Sequence, residues 1–186
     1  MLGNSSQIFN PLIESTLDRL KPNSILELGC GQGKLGKIIK SINLDTKLVA
    51  VQKLFAITDE DQLLNNGYNH IIDKDILDYF KTGFDEEYDL IVIMDVIEHF
   101  LLSDANSIID FALYRTKWLL LVWPSKHPQY GVSNYFDRHR NSFEINALTE
   151  KIDVVFYEQT GFAQLHYLHR YHFCVLRGTM NSENFK

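Results

Sequence analysis

Basic residues are in deficit. Against 24 Asp and Glu the chain carries 18 Lys and Arg, a formal net charge of −6 over 186 residues, so the basic footprint of a general nucleic-acid binder is missing. Cysteine is scarce. Cys30 and Cys174 lie far apart and without metal-ligand spacing, which argues against a disulfide framework and for free thiols in a reducing compartment. The longest apolar run, Trp118 to Trp123, is far short of a membrane span. The N-terminus carries Asn4, Gln7, Glu14 and Asp18 without a basic start or an apolar h-region, so no signal peptide is expected. These absences point to a cytoplasmic protein with neither nucleic acid nor membrane as a partner. Repeats and low-complexity linkers are lacking as well. A chain of 186 residues is long enough for one well-buried core and too short for two ordinary ones, so 1–186 is expected to form a single domain.

What is there is organised around Ser24 to Ile39, SILELGCGQGKLGKII. Ile25, Leu26 and Leu28 form a short apolar run bounded by Pro22-Asn23 and by closely spaced glycines, which reads as a buried strand. Leu35, Ile38, Ile39 and Ile42 then fall at i, i+3, i+4 and i+7, one face of a helix. Glycines between a strand and a helix let the chain turn sharply and bring a ligand against bare main chain. They also aim the helix's unpaired N–H groups and positive dipole end at that ligand. This is a cofactor loop of a doubly wound sheet.

Gly31, Gly33 and Gly36 satisfy the G-x-G-x-x-G dinucleotide fingerprint, which is a weak signal alone. Glu27, two places before Gly29, discriminates: a carboxylate there can accept hydrogen bonds from an ammonium group and would repel a pyrophosphate. With Glu27, Gly29, Gly31 and Gly33 the chain resembles the class I S-adenosylmethionine-dependent methyltransferases of small-molecule type, whose first motif is acidic-x-Gly-x-Gly-x-Gly. The resemblance spans Ser24 to about Arg177. It implies an α/β fold with a doubly wound, mostly parallel seven-stranded sheet and an antiparallel C-terminal strand pair. It also implies that this loop, Cys30 included, binds S-adenosylmethionine and releases S-adenosylhomocysteine.

Residues 1–22 read as an N-terminal capping segment. Its helix, 5–21, places Phe9, Leu12, Ile13, Leu17 and Leu20 on one stripe and closes at Pro22. Lys47 to Val51 is a second strand, at whose end both cofactor families place an acid for the ribose hydroxyls. Gln52 stands there; its amide can accept such a bond without the charge that strengthens it. Asp59 to Asn66 reads as a helix with a polar first turn, and Tyr68 to Ile72 as a third strand. The resemblance assigns Asp75 to the adenine amino group and Ile76 to the face of the adenine ring; for Asp73 the reading is a cap on a helix at Leu77 to Lys81.

Tyr88 to Met94, YDLIVIM, is apolar without alternation, as expected of a central parallel strand covered on both faces. It runs into Asp95-Val96-Ile97-Glu98-His99, and the resemblance places Asp95 at the methionine end of the cofactor and His99 at the mouth of the acceptor pocket. Asp104 to Arg115 is a helix and Lys117 to Trp123 a fifth strand, which completes a strict alternation of strand and helix. Residues 125–142 break it with SKHPQYGVSNYFDRHRNS, a connection long enough to be a substrate-side loop. His127, Tyr130, Asn134, Tyr135, Asp137, Arg138, His139 and Arg140 are its contact candidates. A helix at Phe143 to Thr149, strands at Ile152 to Tyr157 and Leu168 to Leu176 with a turn at Gln159-Thr160-Gly161, and a frayed polar tail, 179–186, complete the chain. His166, His169 and His172 alternate faces of a strand and cannot converge on one ion, so no metal is expected.

Methyl transfer places the electrophile on the cofactor, leaving the protein to align the acceptor and remove its proton. A neutral imidazole suits that task, and His99 and His139 are the candidate catalytic bases. The acidic balance favours a small-molecule acceptor; oxygen, nitrogen and carbon nucleophiles all stay open, as does the oligomeric state. Two alternatives stand beside this reading. One is an NAD(P)-binding oxidoreductase, from the double sense of the glycine loop. The other is a non-catalytic S-adenosylmethionine-binding or regulatory protein, for which Gln52 is the main support.

Overall fold

The computed structural model describes residues 7–54, 59–82, 86–125, 139–141, 154–164 and 167–180. The chain divides into two compact units, Met1–Val92 and Ile93–Lys186.

The first unit opens with α1 (Asn10–Leu20), which buries Ile13 and Leu17 and ends at Lys21 in the left-handed conformation. It starts later than the periodicity predicts because Pro11 is accommodated in the first helical turn, where no N–H is needed. β1 (Ser24–Leu28) is buried from Ile25 onward, Glu27 included. α2 (Lys34–Ser41) covers it with Leu35, Gly36, Ile38 and Ile39. β2 (Lys47–Val51) lies parallel to β1 with Glu27 opposite Ala50. α3 (Glu60–Asn65) is capped by the Asp59 carboxylate, which accepts from the N–H groups of Asp61 and Gln62. β3 (His70–Ile72) is parallel to β2. It begins two residues later than expected because the Tyr68 N–H donates to Leu63 O and so belongs to the preceding turn. α4 (Ile76–Lys81) leads towards β4 (Tyr88–Met94), within which the division between the units falls. Strands buried on both faces, with a helix after each glycine or acidic turn, are what parallel pairing requires.

The second unit continues from β4 into a 3-10 turn, Ile97–His99, and α5 (Leu102–Tyr114). β5 (Thr116–Ser125) pairs antiparallel with β7 (Tyr167–Arg177), and β7 with β6 (Val154–Gln164). Parallel strands early and an antiparallel pair at the C-terminus give the α/β class expected. One expectation fails. Gln159, Thr160 and Gly161 are not a turn but the middle of β6, facing His172, Tyr171 and Arg170 across the ladder. An unbroken antiparallel partner satisfies their backbone groups, and that outweighs local turn preference. At the start of the tail expected to fray, the N–H groups of Thr179 and Met180 donate to Leu113 O and Thr116 O; residues 181–186 lie outside the described residues. The helix expected at 143–149 and most of the 125–142 loop lie outside the described residues. Trp123 and His172, both buried, stack with ring centroids 4.8 Å apart, which makes His172 a core residue. No helix among the described residues is long and apolar enough to cross a membrane.

Because Leu26 is fully buried in β1, Leu26→Ala should cost about 2–5 kcal/mol, seen as a lower urea midpoint at unchanged slope. Leu102→Ala, at a side chain 49% exposed, should stay within about 0.5 kcal/mol. Equal effects would contradict this assignment of the core.

Candidate functional site

The turn between β1 and α2 is built from three left-handed glycines, Gly29 at φ 77°, Gly31 at 52° and Gly33 at 80°. Gly29 N–H donates to Val51 O and Gly33 N–H to Cys30 O, at 2.9 and 2.8 Å. The glycines differ in what surrounds them. A Cβ at Gly31 would meet nothing within 4 Å, so its main chain borders open space. A Cβ at Gly36 would come within 2.6 Å of both Asn66 O and the Tyr68 ring, and one at Gly33 within 2.8 Å of Asn66 Nδ2. Gly36, the third glycine of the apparent dinucleotide fingerprint, is thus required by packing against the segment before β3. A cavity of about 450 Å³ borders the turn, lined by Cys30, Gly31, Gln32 and Lys34 and, from α1, by Asn10 and Glu14.

Glu27 is 1% exposed. The Tyr68 hydroxyl donates to its Oε2 at 2.5 Å and accepts from the Gly36 N–H at 3.4 Å. Burial pushes the Glu27 carboxyl up to about 8, against the opposing effects of the Tyr68 bond and of Lys34. The sequence expectation of a charged carboxylate waiting for an ammonium group therefore meets a carboxyl already held from inside the unit. Burial, and the nearby Glu27, also push the Cys30 thiol up, so it remains a protonated packing group.

Gln52 sits where the sequence put it, at the end of β2 and beside the loop: its Oε1 accepts from Gly31 N–H at 3.2 Å and its Nε2 donates to Lys53 O at 3.0 Å. The amide can serve both because it carries a donor and an acceptor, which a carboxylate does not. Asp75 caps α4, its Oδ1 accepting from Leu77 N–H at 2.8 Å, and Ile76 is the first, buried residue of that helix. The cap expected of Asp73 is thus supplied by Asp75. Asp73 instead accepts from Leu54 N–H and pairs with Lys53 Nζ at 3.1 Å.

In the second unit Asp95 adopts φ 54°, a left-handed conformation that costs a non-glycine residue about 1–3 kcal/mol and persists where the surroundings fix it. Here its N–H donates to Val122 O at 2.9 Å, so β5 holds the residue in place. The 3-10 turn then directs Glu98 inward, 2% exposed. His99 Nε2 lies 3.8 Å and His139 Nε2 4.0 Å from Glu98 Oε1, and the two imidazoles meet edge to face at 4.9 Å. The donor atoms of Glu98, His99 and His139 all fall within 4.8 Å of one another, a spacing at which they could hold a metal ion.

Hydrogen bonds from Arg140 and Asn141 place His139 there. The Arg140 N–H donates to Glu98 O at 2.7 Å, and the Asn141 side-chain amide donates to Ile97 O and Phe100 O at 2.8 and 2.9 Å. Glu98 Oε2 is buried and accepts no hydrogen bond among the described residues. Burial, and then the neighbouring Asp95, hold the Glu98 carboxyl well above the usual carboxylate range. Burial with Asp95 and Glu98 does the same to the Tyr171 hydroxyl, which sets Tyr171 beside both acids.

The sequence named His99 and His139 separately and passed over Glu98 and Asn141. The signal was a Glu-His pair after a strand and a His-Arg-Asn stretch some forty positions later, which only the fold joins. Of the remaining loop candidates Arg140 is described, held at its backbone; His127, Tyr130, Asn134, Tyr135, Asp137 and Arg138 lie outside the described residues.

No protein-family model matches the sequence, and no curated protein matches it. Solved structures do. TehB from Haemophilus influenzae superposes with a TM-score of 0.64 at 18% identity over 90% of this chain and 62% of that one. The methyltransferase domain of bacterial CtHen1-CN gives 0.65 at 16% identity over 94% of this chain and 100% of that one. The O-methyltransferase TomG from Streptomyces achromogenes, solved in complex with S-adenosylmethionine, gives 0.58 at 16% identity over 95% and 82%. Two of these three are methyltransferases by description, and the chain has the Rossmann-like α/β fold of that class.

Proposed function

We propose that this protein binds S-adenosylmethionine at the turn formed by Gly29, Cys30, Gly31 and Gly33 and transfers its methyl group to a hydroxyl of a small-molecule acceptor, with a divalent cation held by Glu98, His99 and His139. The observation that carries the reading is the convergence of two imidazoles and a buried carboxyl whose Oε2 accepts no hydrogen bond among the described residues. Burying such an atom costs free energy that a cation would recover. Nitrogen and carboxylate donors together suit Zn, Mn, Fe or Ni. When bound, the ion would act as a Lewis acid that lowers the pKa of the acceptor hydroxyl. His99 and His139 then serve as ligands, rather than as the bases the sequence alone offers. Asn141 and the Arg140 N–H hold them in register, as partners beyond the ligands do in metal sites generally. In the transfer itself the acceptor hydroxyl would give up its proton to solvent water, the sulfonium C–S bond would break as the O–C bond forms, and the sulfur would leave as a neutral thioether.

The glycine turn supports the cofactor assignment from its own side. Gly31 presents bare main chain to open space, as a ligand approaching the turn requires. TomG is an O-methyltransferase complexed with S-adenosylmethionine, and the same chemistry is assigned here by analogy of fold. Two buried free thiols fit the cytoplasm.

Metal-stripped protein titrated with Co²⁺ should show one saturable site per chain by visible absorption, and His139→Ala should weaken it about tenfold or more. Because burial and then Asp95 raise the Glu98 carboxyl above the usual carboxylate range, and it must ionise to ligate, the apparent affinity should rise with pH. A wild-type site in His139→Ala would contradict the ligand assignment.

Transfer of a labelled methyl group from S-adenosylmethionine to a panel of small hydroxyl acceptors should be abolished by a chelator and restored by added cation. It should be lost in Glu98→Gln. Transfer that survives the chelator would leave the methyltransferase reading and remove the metal. Cofactor binding without transfer to any acceptor would favour the non-catalytic alternative.

A further inference from the structure

Tyr68 lies outside every motif of the sequence, and its side chain nonetheless touches all three parts of the cofactor turn. Its hydroxyl bonds Glu27 at the end of β1 and the Gly36 N–H in the first turns of α2. Its ring lies where side chains at Gly33 and Gly36 would otherwise stand, with Cε2 at 3.2 and 2.6 Å from the positions their Cβ atoms would take. Tyr68 is itself 3% exposed, and its backbone is fixed by the bond from its N–H to Leu63 O. A phenol can donate to one partner while accepting from another, so this one group couples strand, turn and helix.

We infer that Tyr68 is a positioning residue for cofactor binding: its hydroxyl aims the Glu27 carboxyl and fixes the glycine turn against α2. The inference rests on the cofactor reading above. It has a second consequence. The titratable groups that face Glu27 among the described residues are Tyr68, Lys34 and Cys30. In the free protein burial pushes the carboxyl up to about 8, while both the Tyr68 bond and Lys34 favour its ionised form. An ammonium group arriving on the cofactor favours that same form. Binding therefore releases a proton below pH 8 and tightens as pH rises towards it. Removing the hydroxyl withdraws one of the influences that favour ionisation, so the midpoint moves up.

The test is calorimetric titration with S-adenosylhomocysteine between pH 6 and 9, in buffers of different ionisation enthalpy, for the wild type, Tyr68→Phe and Glu27→Gln. The wild type should bind more tightly with rising pH and release a proton near neutrality. Tyr68→Phe keeps the ring packing. It should bind about tenfold more weakly at pH 8, with its midpoint displaced upward; a merely structural loss would lower thermal stability and leave the midpoint in place. Glu27→Gln should bind weakly with a flat pH profile and no proton release. Should Tyr68→Phe fail to fold, Glu27→Gln still decides, since a retained pH dependence overturns the proposal. So does a wild-type midpoint in Tyr68→Phe, or a pH-independent wild type. No binding by the wild type at any pH overturns the cofactor reading itself.

Discussion

A carboxyl group buried at 1% exposure in the middle of a strand is the constraint on which the first unit is built. Left alone it would cost several kcal/mol; held by a hydroxyl it becomes a fixed point. Tyr68 supplies that hydroxyl, and to reach Glu27 its ring must cross above α2, which is possible only where the helix is bare. Gly33 and Gly36 provide the gap. The spacing of the glycines thus answers two demands. Gly29 and Gly31 shape the turn and its open face, while Gly33 and Gly36 admit the clamp that holds the turn down. Gln52 adds a further tie from the end of β2, spending its acceptor on Gly31 N–H.

The second unit poses the same problem with a different set of neighbours. Glu98 is almost as deeply buried as Glu27; around it stand another acid, Asp95, and two imidazoles, and its second oxygen accepts no hydrogen bond among the described residues. Two carboxyls brought together in low dielectric repel, and the backbone at Asp95 is held in a left-handed conformation to bring them there. In the function proposed above, a divalent cation would bring positive charge to this arrangement, with the two histidines as the remaining donors. The two buried carboxyls thus differ in their partners: Glu27 Oε2 accepts from the Tyr68 hydroxyl, while Glu98 Oε2 accepts no hydrogen bond among the described residues.

Much of the fold was legible because it rests on local periodicity. β1, β2 and β4 lie where their apolar runs predict, and the helix after the glycines begins where the spacing changes from strand to helix. Asp59 and Asp75 cap helices as short-range rules suggest. What escaped the sequence depends on contacts between distant positions. Gln159 to Gly161 carries turn-forming residues, but pairing with β7 overrides them. Tyr68 reads as an ordinary aromatic in a strand, and nothing short of the fold brings it to Glu27. His139 lies in a polar stretch without periodicity, and its meeting with Glu98 is made by the Arg140 and Asn141 hydrogen bonds. The two histidines were found one at a time as bases; their geometry suggests a shared task.

The central claim, that the glycine turn is the seat of S-adenosylmethionine, is tested most directly by hydrogen exchange with and without S-adenosylhomocysteine, with NADH as the control ligand. The account predicts added protection in peptides covering Leu28 to Lys34 and Val51 to Lys53 with the thioether and none with NADH. Protection of those peptides by NADH, or none by S-adenosylhomocysteine at saturating concentration, would contradict it.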